Sequence, residues 1–169
     1  MEVWRAIRER RSVRSFRPER IPRDTLLRLI EEAAVWAPSG GNAQTWRFVI
    51  IDDPMLLRKV RMISPGLLGE PAAVIACCQD MKEATRRGAE LGETLALLDT
   101  GMAAQNIMLA AHDLGLGTCA VASFHHAGLQ ALLGLPDGVE PHLLVTVGVP
   151  DSLPSPPDRR LDLCGFNHG

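Results

Sequence analysis

Apolar positions recur along this chain in two periods, and the switches between them mark out its elements. Val3, Trp4 and Ile7 keep helical spacing over residues 2–10, and Arg10-Arg11-Ser12 closes that helix. Ile21-Pro22-Arg23-Asp24 opens a second helix with Leu26, Leu29, Ile30, Ala33 and Ala37 on one face, until Pro38-Ser39-Gly40-Gly41-Asn42 breaks it into a loop. Residues 46–51 form a short apolar run bounded by Asp52-Asp53-Pro54 and are predicted to be a strand. A helix over about 55–62 follows, then a loop at Ser64-Pro65-Gly66 and a buried strand over 72–78. The segment 79–92 is polar and without a clear period. From about 93 to 114, Leu97, Leu98, Gly101, Ala104, Ile107, Met108 and Ala111 fit one long helix with small residues on its packing face, terminated by Gly115 and Gly117. A strand over 118–122, a helix over 127–133 and a strand over 143–149 complete the pattern. The last 20 residues hold four prolines and are expected to run extended over a surface.

Two helices precede the first strand, and strands and helices do not alternate strictly afterwards. That order points to an α+β fold rather than a doubly wound sheet. At 169 residues, 46% hydrophobic and 22% charged, the chain suits a single domain spanning 1–169, or one that completes itself by pairing with a copy. Its longest apolar run, 72–78, is far below the roughly 20 residues of a membrane span. The start, Met-Glu-Val-Trp-Arg, lacks the apolar stretch of a signal peptide, so a cytoplasmic protein is expected.

Charge changes the picture at one end only. The net charge is -2, yet residues 1–28 carry nine of the 16 arginines against Glu2, Glu9, Glu19 and Asp24. Four acids in that stretch argue against a transit peptide, and the absence of an overall basic domain argues against nucleic acid. A local anion site fits the asymmetry. Cys77, Cys78, Cys119 and Cys164 show neither CxxC nor zinc spacing and read as buried reduced thiols, with Cys77 and Cys78 pointing to opposite faces of a strand. His125-His126 sits at a helix entry, solvated or capping rather than metal-bound. Neither GxGxxG nor GxxxxGK[ST] occurs, so Rossmann and P-loop sites lack their signatures.

Two segments carry candidate chemistry. In Arg10-Arg11-Ser12-Val13-Arg14, an extended backbone puts Arg10, Ser12 and Arg14 on one face, offering guanidinium groups and a hydroxyl to a phosphate monoester. A solvated helix end, with arginines complementing the C-terminal dipole, explains the same residues. In Pro38-Ser39-Gly40-Gly41-Asn42-Ala43-Gln44-Thr45-Trp46, glycines allow close backbone approach to a ligand. Asn42 and Gln44 offer the paired donors and acceptors that a heteroaromatic ring needs. On composition alone, a plain helix-to-strand turn with Asn42 bonding local backbone and Trp46 in the core is the better account.

Taken together, the two motifs resemble the nitroreductase family of FMN-dependent oxidoreductases. Residues 98–106 leading to 114–119 look like that family's central helix and its glycine-rich exit. Leu132-Leu133-Gly134-Leu135-Pro136 and 145–150 look like its closing helix and strand, and Arg159-Arg160-Leu161 like its late basic motif. The resemblance spans residues 4–163. It implies an α+β homodimer, with a central mixed or antiparallel sheet flanked by helices and FMN at the subunit interface. By position, Arg10, Arg11, Ser12 and Arg14 would hold the FMN phosphate, helped by Arg159 and Arg160. Pro38, Ser39, Gly40, Asn42 and Gln44 would approach the same flavin from the partner subunit. Ala120, Val121, Ala122 and Ser123 would run past the isoalloxazine, with a backbone N–H near N5.

The activity so implied is hydride transfer from NADH or NADPH through the flavin to a nitroaromatic, quinone or similar small acceptor, by a ping-pong course in one pocket. The resemblance assigns no catalytic side chain and no metal, and the partners it implies are a second copy and the small acceptor. Thr45 stands where the family usually has proline. The loop 63–68 lacks the Asn and Lys that longer members use on the ribityl chain, and 79–95 is short. That brevity sustains an alternative: a non-redox flavin-binding or carrier protein on the same scaffold.

Overall fold

The computed structural model describes residues 2–160. Six helices and four strands follow in the order α1 (Val3–Glu9), α2 (Arg23–Glu31), β1 (Trp46–Ile51), α3 (Pro54–Met62), β2 (Ala73–Asp80), α4 (Met81–Gly88), α5 (Gly92–Asp113), β3 (Gly117–Val121), α6 (His126–Leu133) and β4 (Val139–Gly148). Short 3-10 turns occupy 34–36, 40–42 and 89–91. The fold is α+β, as the element order predicts. The sheet runs β1-β2-β4-β3, and all its strand pairs are antiparallel rather than mixed.

Alternation along β2 explains why the sheet is covered on both faces. Ala73, Ile75 and Cys77 point into one core with Leu26, Leu29, Ala103 and Ile107 of α2 and α5. Val74, Ala76 and Cys78 point into the other, with Val60 of α3 and Leu129 of α6. Each large side chain so buried, Ile75 or Ile107 for example, contributes ~2 kcal/mol. The two cysteines face opposite ways, and burial pushes both thiols up to about 12, so neither is a nucleophile near neutrality. Cys119 is also buried and free, whereas Cys164 lies outside the described residues.

Several readings of the sequence need correction. α2 stops at Glu31, and Ala34–Trp36 is a separate 3-10 turn rather than its continuation to Ala37. The polar stretch 79–92 holds the end of β2 and helix α4. Asp80 caps that helix, accepting from the Glu83 N–H at 3.0 Å. β4 begins at Val139, not 143. Pro141 cannot donate to the ladder, and the register shifts beside it between Cys77 and Cys78. On α5 the packing face is Ala96, Asp99, Thr100, Ala103, Ala104, Ile107 and Ala111, while Leu97, Leu98 and Gly101 face outward. Gly115, at φ +77°, ends α5, but Gly117 already belongs to β3. His125 acts as a cap, its Nδ1 accepting from the Gly128 N–H at 2.9 Å.

Candidate functional site

Residues 10–16 leave α1 as an extended segment laid along the free edge of β3. The Val13 N–H donates to the Thr118 carbonyl at 2.9 Å, and Ser12 bridges Thr118 in parallel. The segment sits tight because glycines face it. A Cβ on Gly117 would come within 2.8 Å of the Val13 side chain, and one on Gly148 within 2.5 Å of the Phe16 ring. Val13 is buried, so Ser12 and Arg14 turn outward with Arg10, as the alternation predicts. Beyond β4 the chain returns antiparallel to this segment. Arg17 N–H bonds the Val149 carbonyl, Asp151 N–H bonds the Ser15 carbonyl, and residues 154–159 then close over the same cleft.

That cleft, about 320 Å³, is lined by Arg10, Arg11, Ser12, Arg14, Pro154, Ser155, Pro157 and Arg159. No carboxylate is among them. Arg10 Nη1 is buried and finds no hydrogen-bond partner among the described residues. Burial first, then the neighbouring Arg11 and Arg159 charges, push the Arg10 guanidinium below its ordinary range. A buried cationic donor without a partner is costly unless an anion completes it. Not every arginine waits in this way. Arg11 Nη1 turns back onto the carbonyls of Arg8 at 2.6 Å and Arg10 at 3.0 Å, serving the end of α1. The dipole explanation therefore holds for Arg11, and the anion explanation fits Arg10. Arg160 is exposed and does not line the cleft.

Near the end of α5, within electrostatic reach of Arg10 and Arg11, His112 presents a second buried nitrogen, Nε2, without a partner among the described residues. Its pKa is pushed down, first by burial; Glu9 and Asp113 raise it and Arg10 and Arg11 lower it. From the same strand edge, Ala120, Val121, Ala122 and Ser123 continue away from the cleft, with Val121 buried and the other three exposed.

The loop 38–45 is a different kind of structure. Gly41, Asn42 and Gln44 all adopt positive φ, at +57°, +53° and +51°. Two non-glycine residues in that region represent stored strain. Internal bonds hold the loop: Asn42 N–H to the Ser39 carbonyl, Ala43 N–H to the Gly40 carbonyl and Gln44 N–H to Ser39 Oγ. The exposed amides pair with each other, Gln44 Nε2 donating to Asn42 Oδ1 at 2.9 Å. Pro38 is exposed and Ser39 and Gly40 are half-buried. Thr45, where a proline was expected by resemblance, uses its hydroxyl on Gln79 at 2.7 Å in the interior.

Within one chain these two halves stay apart. The loop feeds β1 at one edge of the sheet, and the arginine segment lies against β3 at the other. Ile51, Val74, Thr146 and Cys119 form one row across the strands. Trp46 begins β1 five residues ahead of that row, and Ser12 sits beside Thr118 on its far side. Four strand spacings, counting the one from β3 to the arginine segment, and about six residues of rise separate the halves by roughly 19 Å across and 20 Å along the sheet. Between them, α5 and its neighbours on the first core cover one face.

Comparisons with known proteins agree on one family. The model of the nitroreductase family matches residues 7–67 and 59–149. The protein DrgA of Synechocystis sp. is 32% identical over 176 residues, spanning 88% of this chain and 84% of that protein. An NADH dehydrogenase of Thermus thermophilus is 28% identical over 186 residues, spanning 88% and 87%. In structure, a nitroreductase family protein from Streptococcus pneumoniae superposes with a TM-score of 0.86 at 22% identity, covering 98% of this chain and 100% of that one. Among the described residues, no helix is long and apolar enough to cross a membrane.

Proposed function

This chain belongs to the nitroreductase family, and on that premise we propose that it is a cytoplasmic, homodimeric, FMN-dependent oxidoreductase using NADH or NADPH to reduce a nitroaromatic, quinone or similar small acceptor. The observation that carries the proposal is the partnerless Arg10 Nη1 in an acid-free cleft with Ser12, Arg14 and Arg159. A phosphate monoester fits that donor set: it brings two negative charges, and its oxygens accept from guanidinium and hydroxyl alike. The relative named for NADH dehydrogenase activity supports a reduced nicotinamide as donor.

Bound FMN would supply the two-electron chemistry, accepting hydride from the nicotinamide and passing reducing equivalents to the acceptor in ping-pong order. The chain's own residues bind and orient. Arg10, Ser12, Arg14 and Arg159 anchor the phosphate, while Arg11 is divided between the cleft and α1. Arg160 stands beside this set as a helper rather than a wall. Ala120 to Ser123 run on from the anchor along one strand edge and supply exposed backbone for a planar ring. Asn42 and Gln44, with the backbone of Pro38, Ser39 and Gly40, clamp the polar rim of that ring. Donors preorganised toward such a rim stabilise charge as it develops, at ~3 kcal/mol per donor in other chemistries. No side chain in either half is assigned a proton transfer.

Because the clamp and the anchor of one chain lie at diagonal corners of the sheet, the clamp is assigned to the flavin anchored on a second copy. An unsatisfied apolar surface supports such pairing: Val3, Trp4 and Ile7 of α1 and Leu97, Leu98 and Met102 of α5 are all exposed. Gly101 lies among them with open space above it, so another helix can approach closely. The test is direct. The purified protein should be yellow, release FMN on denaturation and bleach promptly with NADH or NADPH under anaerobic conditions. A colourless protein that neither binds FMN nor reacts with a nicotinamide would overturn the proposal, and one that holds FMN without bleaching would favour the carrier reading.

A further inference from the structure

The clamp loop is built on one face of α5, and one buried side chain there, Asp99, spends its hydrogen bonds on the loop. Ala96, Asp99 and Thr100, spaced i, i+3 and i+4, line up beneath the loop. The Asp99 carboxylate is 2% exposed and accepts from the Gly40 N–H with both oxygens, at 3.1 and 3.3 Å. Next to it, fully buried Gln79 accepts from the Thr45 hydroxyl, and its Nε2 donates to the Ala96 carbonyl at 3.1 Å and to Thr100 Oγ1 at 2.9 Å. One helical face thus holds the loop at both ends, Gly40 directly through Asp99 and Thr45 through Gln79 of β2. The three residues at positive φ lie between these grips.

The partner set of Asp99 is what makes it informative. Burial pushes its carboxyl up, and only the Gly40 N–H draws it back. A buried carboxylate held by one amide is expensive, since removal from water costs several kcal/mol. Its carboxylate also faces a cavity of about 210 Å³ bounded by Gly40, Ala43, Thr45 and the α4 residues Ala84 and Arg87. There the Arg87 guanidinium is engaged by Glu83 rather than by Asp99. Packing alone does not call for an acid here; the loop's shape does. Without an acceptor at this point the first residue of the 3-10 turn is untethered, and the chain can relax out of its left-handed conformations.

We infer that Asp99 is a positioning residue for flavin binding: its carboxylate fixes the Gly40 amide and so holds Asn42 and Gln44 in the conformation that clamps the ring. The inference rests on the functional reading above. It places Asp99 with the ring half of the site; because a general loss of stability would also weaken both flavins, the Gly40 amide and rescue by the Asn variant are the discriminating readouts.

The experiment is equilibrium binding of FMN and of riboflavin, which lacks the phosphate, to wild type, Asp99→Ala, Asp99→Ser and Asp99→Asn. Amide exchange at Gly40 is followed in the flavin-free proteins. Asp99→Ala should weaken both flavins by the same factor, about tenfold, leaving their affinity ratio unchanged, and should lose protection at Gly40. Asp99→Ser, whose shorter hydroxyl can turn back to the i−4 carbonyl of its own helix instead of reaching Gly40, should behave alike and keeps a polar group at the site if the alanine variant does not fold. Asp99→Asn keeps an acceptor oxygen and should restore both flavin affinity and Gly40 protection to within about threefold of wild type. Wild-type ring affinity in folded Asp99→Ala or Asp99→Ser overturns the inference, as does an Asn variant no better than Ala. Failure of wild type to bind FMN at all overturns the functional reading instead, so the two failures are distinguishable.

Discussion

The arginine segment 10–14 and the loop 38–45 solve opposite problems. The first is a relaxed backbone carrying one unsatisfied guanidinium: an extended strand edge, tied to Thr118, with Arg10 Nη1 buried and partnerless. The second is a strained backbone carrying satisfied side chains. Asn42 and Gln44 sit at positive φ yet bond to each other. An anion therefore gains the full charge-assisted bond at the first site. A ring must compete with an existing amide pair at the second. The phosphate half should supply affinity, and the ring half orientation.

The largest expected effect breaks the first half. Arg14→Ala with Ser12→Ala should lower FMN affinity by about 30- to 150-fold while leaving riboflavin affinity unchanged, measured by fluorescence titration. Equal losses for both flavins would contradict the division of labour. Next, Asn42→Ala with Gln44→Ala should weaken FMN and riboflavin alike, by roughly tenfold, because it removes only the clamp.

A smaller effect sharpens the contrast in strain. Gln44→Gly should raise the stability of the flavin-free protein, by up to about 1 kcal/mol in denaturant unfolding, while weakening both flavins. Glycine at Ser12, where the backbone is already extended, should only destabilise. The smallest effect is on pH. Burial holds His112 below its ordinary pKa in the folded chain, so the unfolded chain binds a proton that the folded one refuses as pH falls below about 6.5. The flavin-free protein should therefore lose Tm between pH 7 and 5.5. His142, also pushed down by burial, acts in the same direction. His112→Gln should shrink that loss.

Much of this architecture is legible in the sequence, for identifiable reasons. The alternation of Arg10, Ser12 and Arg14 survives because Val13, between them, has to be buried against Gly117. Cys77 and Cys78 separate onto two faces because β2 is covered on both. What was hidden depended on partners distant in sequence. Asp99 reads as one more polar residue of a long helix until Gly40, 59 residues away, is placed above it. Leu97 and Leu98 keep the apolar period of α5 but face outward, since periodicity cannot tell a core face from an exposed apolar one. Helix α4 had a local signal, the Asp80-to-Glu83 cap spacing, but few apolar residues to confirm it. Pro141 disguised the first turn of β4, because only the neighbouring register shift lets a proline sit there.

The central claim is that each flavin site joins the anchor of one chain to the clamp of another, and subunit mixing tests it directly. Arg14→Ala spoils the anchor of its own chain, and Asn42→Ala with Gln44→Ala spoils the clamp that its chain offers. In a doubly tagged heterodimer of the two variants, one composite site receives both defects and the other receives none. The account predicts that such heterodimers recover FMN to about one site per dimer, with wild-type affinity at that site. A folded heterodimer with both sites weakened and no recovered flavin would mean that anchor and clamp act within a single chain, and would contradict it.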